Sequence, residues 1–193
     1  MIAENMLIAA VPSGLYAAFV RWRHRLAAAE IVSRLGLCFG STKWYAAGLA
    51  TSVPFMAMGV AVSNWTKGFH GSMTAPFAGA NPSASIIGSA LLYAFVTTAL
   101  PEELLFRGLI AGAIFRKLSF RTANVVQALI FTAPHLLILL VAPKIWFMMP
   151  GVFVMALALG WLRHRSGSIG PGILVHAASN LGGALAVLNW SGH

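Results

Sequence analysis

Residues 84–115 read ASIIGSALLYAFVTTALPEELLFRGLIAGAIF. As one helix rising 1.5 Å per residue the stretch would be about 48 Å long, well beyond a hydrocarbon core of roughly 30 Å. Pro101 stands in its middle, where a missing N–H predicts a break or a kink. Its only charged residues are Glu102, Glu103 and Arg107. A charge at the bilayer centre costs about 2.5–3.5 kcal/mol on insertion scales, so two adjacent carboxyls at that depth need a chemical reason.

The rest of the chain fixes that membrane setting. Of 193 residues 59% are hydrophobic and 9% charged, and the mean hydropathy is +0.80, outside the range of a soluble globular domain. There is no Asp, and the four acids are Glu4, Glu30, Glu102 and Glu103. The thirteen Lys and Arg give a net charge of +9. They fall in short clusters between apolar runs, which reads as membrane topology and excludes nucleic acid as the partner. The single cysteine, Cys38, makes no intrachain disulfide framework and no multi-cysteine metal site.

Uncharged runs mark the crossings: Trp44–Val62, Thr122–Val141, Ile145–Leu162 and Ile169–Leu188, together with Ile2–Val20, which lacks the charge order of a cleaved signal. Basic clusters at 21–43, at Arg116, Lys117 and Arg121, and at Arg163 and Arg165 belong on the cytoplasmic side, whereas Lys67 and Lys144 stand alone. That alternation requires residues 84–115 to cross once. The expectation is an all-α polytopic transmembrane helical bundle of about six spans, one of them a long or broken motif helix, with both termini outside. Residues 1–193 then form a single integral membrane domain. Residues 27–40, mixed apolar and charged, suit a cytoplasmic interfacial helix, and residues 68–82, rich in Gly, Pro, Ser and Asn, an external loop.

Three groups of residues can carry chemistry. On a helix Glu103 and Arg107 are four apart and share a face, whereas Glu102 points about 100° away and has no local cation. Taken alone, Glu103 and Arg107 read equally well as a buried ion pair that fixes helix register. Phe131-Thr132-Ala133-Pro134-His135 places an imidazole in mid-span. His176-Ala177-Ala178-Ser179-Asn180 sets a His and an Asn on one face of the last span, and Gly108-x-x-x-Gly112 marks a close helix contact. A lone histidine in an apolar helix is more often a packing residue, but two of them with an Asn and a Glu pair on three spans reverse that preference. His24, His70, His164 and His193 are assigned to solvent or headgroups.

In order and spacing, Glu102-Glu103-x-x-x-Arg107, Phe131-x-x-x-His135 and His176-x-x-x-Asn180 resemble the CPBP intramembrane protease family, which includes the type II CAAX prenyl endopeptidases and immunity-type proteins. The resemblance covers residues 84–188 as a catalytic core. It implies hydrolysis of a peptide bond within the bilayer, in a membrane-associated or lipidated protein. Glu102 and His135 resemble the pair that activates water, His176 and Asn180 the groups that stabilise the oxyanion, and Glu103 and Arg107 a supporting pair. A zinc site with Glu102, His135 and His176 as ligands is compatible with these residue types. The metal-free form is favoured, since Asn180 is a poor zinc ligand and a good oxyanion donor, and neither histidine has a visible carboxylate partner.

The alternatives are a non-catalytic immunity-type or binding protein of the same fold and, behind it, a proton-coupled transporter, for which six spans without inverted repeats offer a thin ion pathway. The absence of large insertions points to a bacterial inner-membrane enzyme.

Overall fold

The computed structural model describes residues 2–66 and 74–188. Lys67, His193 and residues 68–73 of the expected external loop, His70 among them, lie outside these. The described residues form seven helices and short 3-10 turns, without strands. We number the helices α1 (Ile2–His24), α2 (Ala28–Arg34), α3 (Thr42–Thr66), α4 (Ala84–Ile114), α5 (Phe120–Leu136), α6 (Met149–Ser166) and α7 (Gly170–Ala186). Four stretches are long and apolar enough to cross a membrane: α3, α4, Phe120–Leu140 and Pro143–Ser166. The other two expected spans fall on α1 and on α7, whose 17 residues make it about 26 Å long.

Local chemistry sets the boundaries. The Ser83 hydroxyl accepts from the amide of Ile86 and starts α4, and that of Ser119 accepts from Thr122 and starts α5. Gly167, at φ 71°, ends α6, and its amide donates to the Arg163 carbonyl. Pro171 then opens α7 at a position where its missing N–H is no loss.

Pro101 neither breaks α4 nor splits it. The helix runs through the proline because the backbone on either side winds more widely, as π-helical segments Tyr93–Ala99 and Glu103–Ala111. The amide of Leu100 donates to the Phe95 carbonyl five residues back. The Thr98 hydroxyl donates to the carbonyls of Tyr93 and Ala94, supplying partners that an undisturbed ladder would have provided. Of the two expected forms, long or broken, the helix takes the long one.

The bundle is organised by close contact between α3 and α7. Backbone meets backbone there because small residues face each other: a side chain at Gly182 would stand 2.5 Å from the Met56 carbonyl oxygen. On the other face of α7 lies the first π segment of α4, with Ala94, Ala99 and Ala177 forming a tight apolar seam. α5 and α6 close the core through Phe131, Met155, Leu159 and Leu162, and α1 lies along α4 from the outside.

Candidate active site

The turn of α4 after Pro101 delivers the two glutamates to different surroundings. Glu103 is fully buried, and its Oε1 accepts from Arg107 Nη1 at 3.0 Å and from His176 Nδ1 at 3.0 Å. Its Oε2 has no hydrogen-bond partner among the described residues and faces α7 at Gly172, where a β-carbon would stand 2.8 Å away. The ion pair expected from the i, i+4 spacing is therefore present, and it carries a third member.

That third member corrects one expectation. The sequence offered neither histidine a carboxylate partner, yet His176, 73 residues from Glu103, has one. The bond to Glu103 makes Nδ1 the protonated nitrogen and turns Nε2 toward Glu102, whose Oε2 lies 3.7 Å away. Both glutamates thus meet one imidazole, from opposite edges of the ring. The 100° between them on the helix separates their directions without separating their partner.

Glu102 keeps 31% of its side chain exposed and lines a cavity of about 320 Å³. His135 lines the same cavity from α5, and Pro101, Leu105, Phe106, Pro134 and Ile138 supply apolar walls. His135 Nδ1 lies 2.9 Å from the Phe131 carbonyl, which can only accept, so Nδ1 carries the proton and Nε2 offers a lone pair. On α7, Asn180 Nδ2 donates to Thr98 Oγ1 at 2.8 Å, tying the amide to the turn of α4 one step before Glu102.

All six residues singled out by sequence are on elements that meet here. Glu102 and His135 share the cavity, Glu102 and Glu103 flank His176, and Asn180 reaches α4 through Thr98. Phe131, a motif position, had been given no role, and two further contributors, Thr98 and the wall from α1, were not foreseen. The fully buried ring of Phe131 underlies the Arg107 guanidinium, 4.0 Å from its carbon, and touches both His135 and His176. Such a desolvated cation–π contact contributes about 2 kcal/mol. Thr98 holds Asn180, and its place four residues before Glu102 on one helix face was the available signal. Ile8 and Ala9 of α1 form the remaining cavity wall; nothing in their apolar sequence distinguished them.

Among the described residues no group of three or more His, Cys, Asp or Glu stands close enough to hold a metal ion. As arranged, Glu102, His135 and His176 do not close into a ligand set.

Compared with known families, residues 84–182 match the family described as type II CAAX prenyl endopeptidase Rce1-like. The matched segment contains every candidate residue from Glu102 to Asn180, whereas the cavity wall from α1 lies outside it. No curated protein and no solved structure matches the chain.

Proposed function

The chain belongs to the Rce1-like type II CAAX prenyl endopeptidase family, and within that activity we propose that it cuts a lipidated or membrane-associated protein with a Glu102/His135-activated water. It is a multi-pass integral membrane protein of a CAAX-type intramembrane protease family. The observation that carries the reading is that Glu102 and His135, from two different helices, open into one mostly apolar cavity.

The chemistry follows from the hydrogen-bond pattern. A water between Glu102 and His135 meets a carboxylate and an Nε2 lone pair, both acceptors, which point its oxygen at a carbonyl carbon. Glu102 takes the proton as the C–O bond forms. The oxyanion that develops is stabilised by the Asn180 N–H not used on Thr98 and, once Nε2 of His176 is protonated as well, by that second N–H of a ring that Glu103 holds through Nδ1. Collapse breaks the C–N bond, and the proton on Glu102 passes to the leaving amine. Glu103 and Arg107 touch no reacting atom and hold the geometry.

The test is cleavage of a farnesylated CAAX-type peptide by the purified protein in lipid nanodiscs, with products identified by mass. Glu102→Gln is expected to lower product formation by about 10²–10⁴-fold while shifting thermal unfolding little. Full cleavage by the variant would sink the proposal.

A further inference from the structure

Arg163 belongs to a basic cluster that reads as a cytoplasmic topology signal, yet its side chain is 8% exposed whereas Arg165, two residues on, is exposed. Burying a guanidinium demands partners, and the partners here are main-chain carbonyls from two distant segments. Nε donates to the Arg107 carbonyl at 3.2 Å, and Nη2 to those of Arg34 at 3.0 Å and Ser33 at 3.5 Å. Ser33 and Arg34 end α2, where the helix dipole favours a cation.

The surroundings are shaped for this contact. Gly108 and Gly112, whose spacing suggested a helix partner, face the main chain at the end of α2: a β-carbon at Gly108 would stand 2.8 Å from the Leu35 carbonyl oxygen, and one at Gly112 2.8 Å from that of Arg34. Gly36 adopts φ +68°, and a β-carbon there would stand 2.6 Å from Arg163 Nε. The Gly36 carbonyl accepts from Ile169, just before α7, at 2.9 Å. Around one guanidinium the structure therefore joins α2, the second π segment of α4 and the turn between α6 and α7.

We propose that Arg163 is a positioning residue of the candidate site, fixing through the Arg107 carbonyl the turn of α4 that aims the Glu103–Arg107 pair at His176, and so coupling the docking of α2 to the geometry of the site. The inference rests on the reading of Glu103 and His176 as parts of that site. The path is short: Arg163 holds the main chain of Arg107, Arg107 holds Glu103, and Glu103 holds His176. A lysine can reach one or two of the carbonyls without the fork that spans three, and a methionine reaches none.

The test uses the full chain in nanodiscs with ¹⁵N-labelled histidine, the His176 signals being assigned with His176→Gln. Arg163→Met and Gly36→Ala disturb the guanidinium from opposite sides. Both are expected to move the His176 ring-nitrogen resonances beyond the linewidth, with Arg163→Lys in between and Arg165→Met without effect. On the farnesylated peptide, kcat of Arg163→Met is expected to fall about tenfold with KM within about twofold, the split expected of a group acting through the catalytic residues. Unmoved His176 signals in folded Arg163→Met and Gly36→Ala would overturn the proposal. If circular dichroism shows Arg163→Met to be unfolded, unmoved signals in Arg163→Lys and Gly36→Ala do the same. Wild-type protein that leaves the peptide intact while the His176 signals respond as expected refutes the substrate reading and leaves the positioning role supported.

Discussion

Glu102 and Glu103 are identical in type and joined by one peptide bond, yet they occupy opposite environments. Glu103 is sealed from solvent and shares one oxygen between Arg107 and His176, both of which meet the Phe131 ring. Glu102 borders a cavity, approaches His176 only to 3.7 Å, and keeps a third of its side chain open. The difference teaches how a membrane protein separates stability from reactivity along one helix turn. A carboxylate bound to buried partners is held in one place by them, and one with an open side can meet a water or a substrate.

The contrast can be broken at several points. The largest effect is expected for Glu102→Gln, which should lower the single-turnover cleavage rate by about 10²–10⁴-fold, the range of a general base, and shift unfolding little. Arg107→Met should do the reverse first: leaving Glu103 buried without its cation is expected to destabilise the fold by about 3–5 kcal/mol in chemical denaturation, and Glu103→Gln added to it should recover part of the loss. Equal destabilisation by Glu102→Gln and Arg107→Met would erase the distinction. Asn180→Ala is expected to reduce kcat by about 10²–10³-fold, as for an oxyanion donor. Smallest is Ile8→Trp, which narrows the cavity from α1 and should raise KM about tenfold, roughly 1.4 kcal/mol, with kcat nearly unchanged.

Much of this was readable from residue order. Uncharged runs marked the apolar helices because lipid penalises every exposed charge, and i, i+4 spacing predicted the Glu103–Arg107 pair, since neighbours on one helix face are fixed by the helix itself. The six candidate residues were visible as polar groups that apolar spans have no structural need to carry. What stayed hidden depends on how helices cross. His176 finds Glu103 only because α7 packs against α4, and periodicity within either segment says nothing about that. Arg163 read as topology because its charge was visible and its burial was not. Pro101 read as a break or a kink because the widened winding that carries the chain past it leaves no mark in a hydropathy pattern.

That widened winding has a consequence for length changes. A π segment is an α-helix that has absorbed an extra residue, so the Tyr93–Ala99 stretch could lose one residue and relax to regular α-helix. Because the wider turn has absorbed that residue, the helix on either side would keep nearly its present facing, whereas the same loss in a regular stretch would turn one side by about 100° against the other. A deletion among residues 93–96 should therefore disturb Glu102 less than one at Leu100, which would turn Glu102 by about 100° away from Thr98. The widened turn is thus the place where α4 can change length with the least effect on which way its residues face.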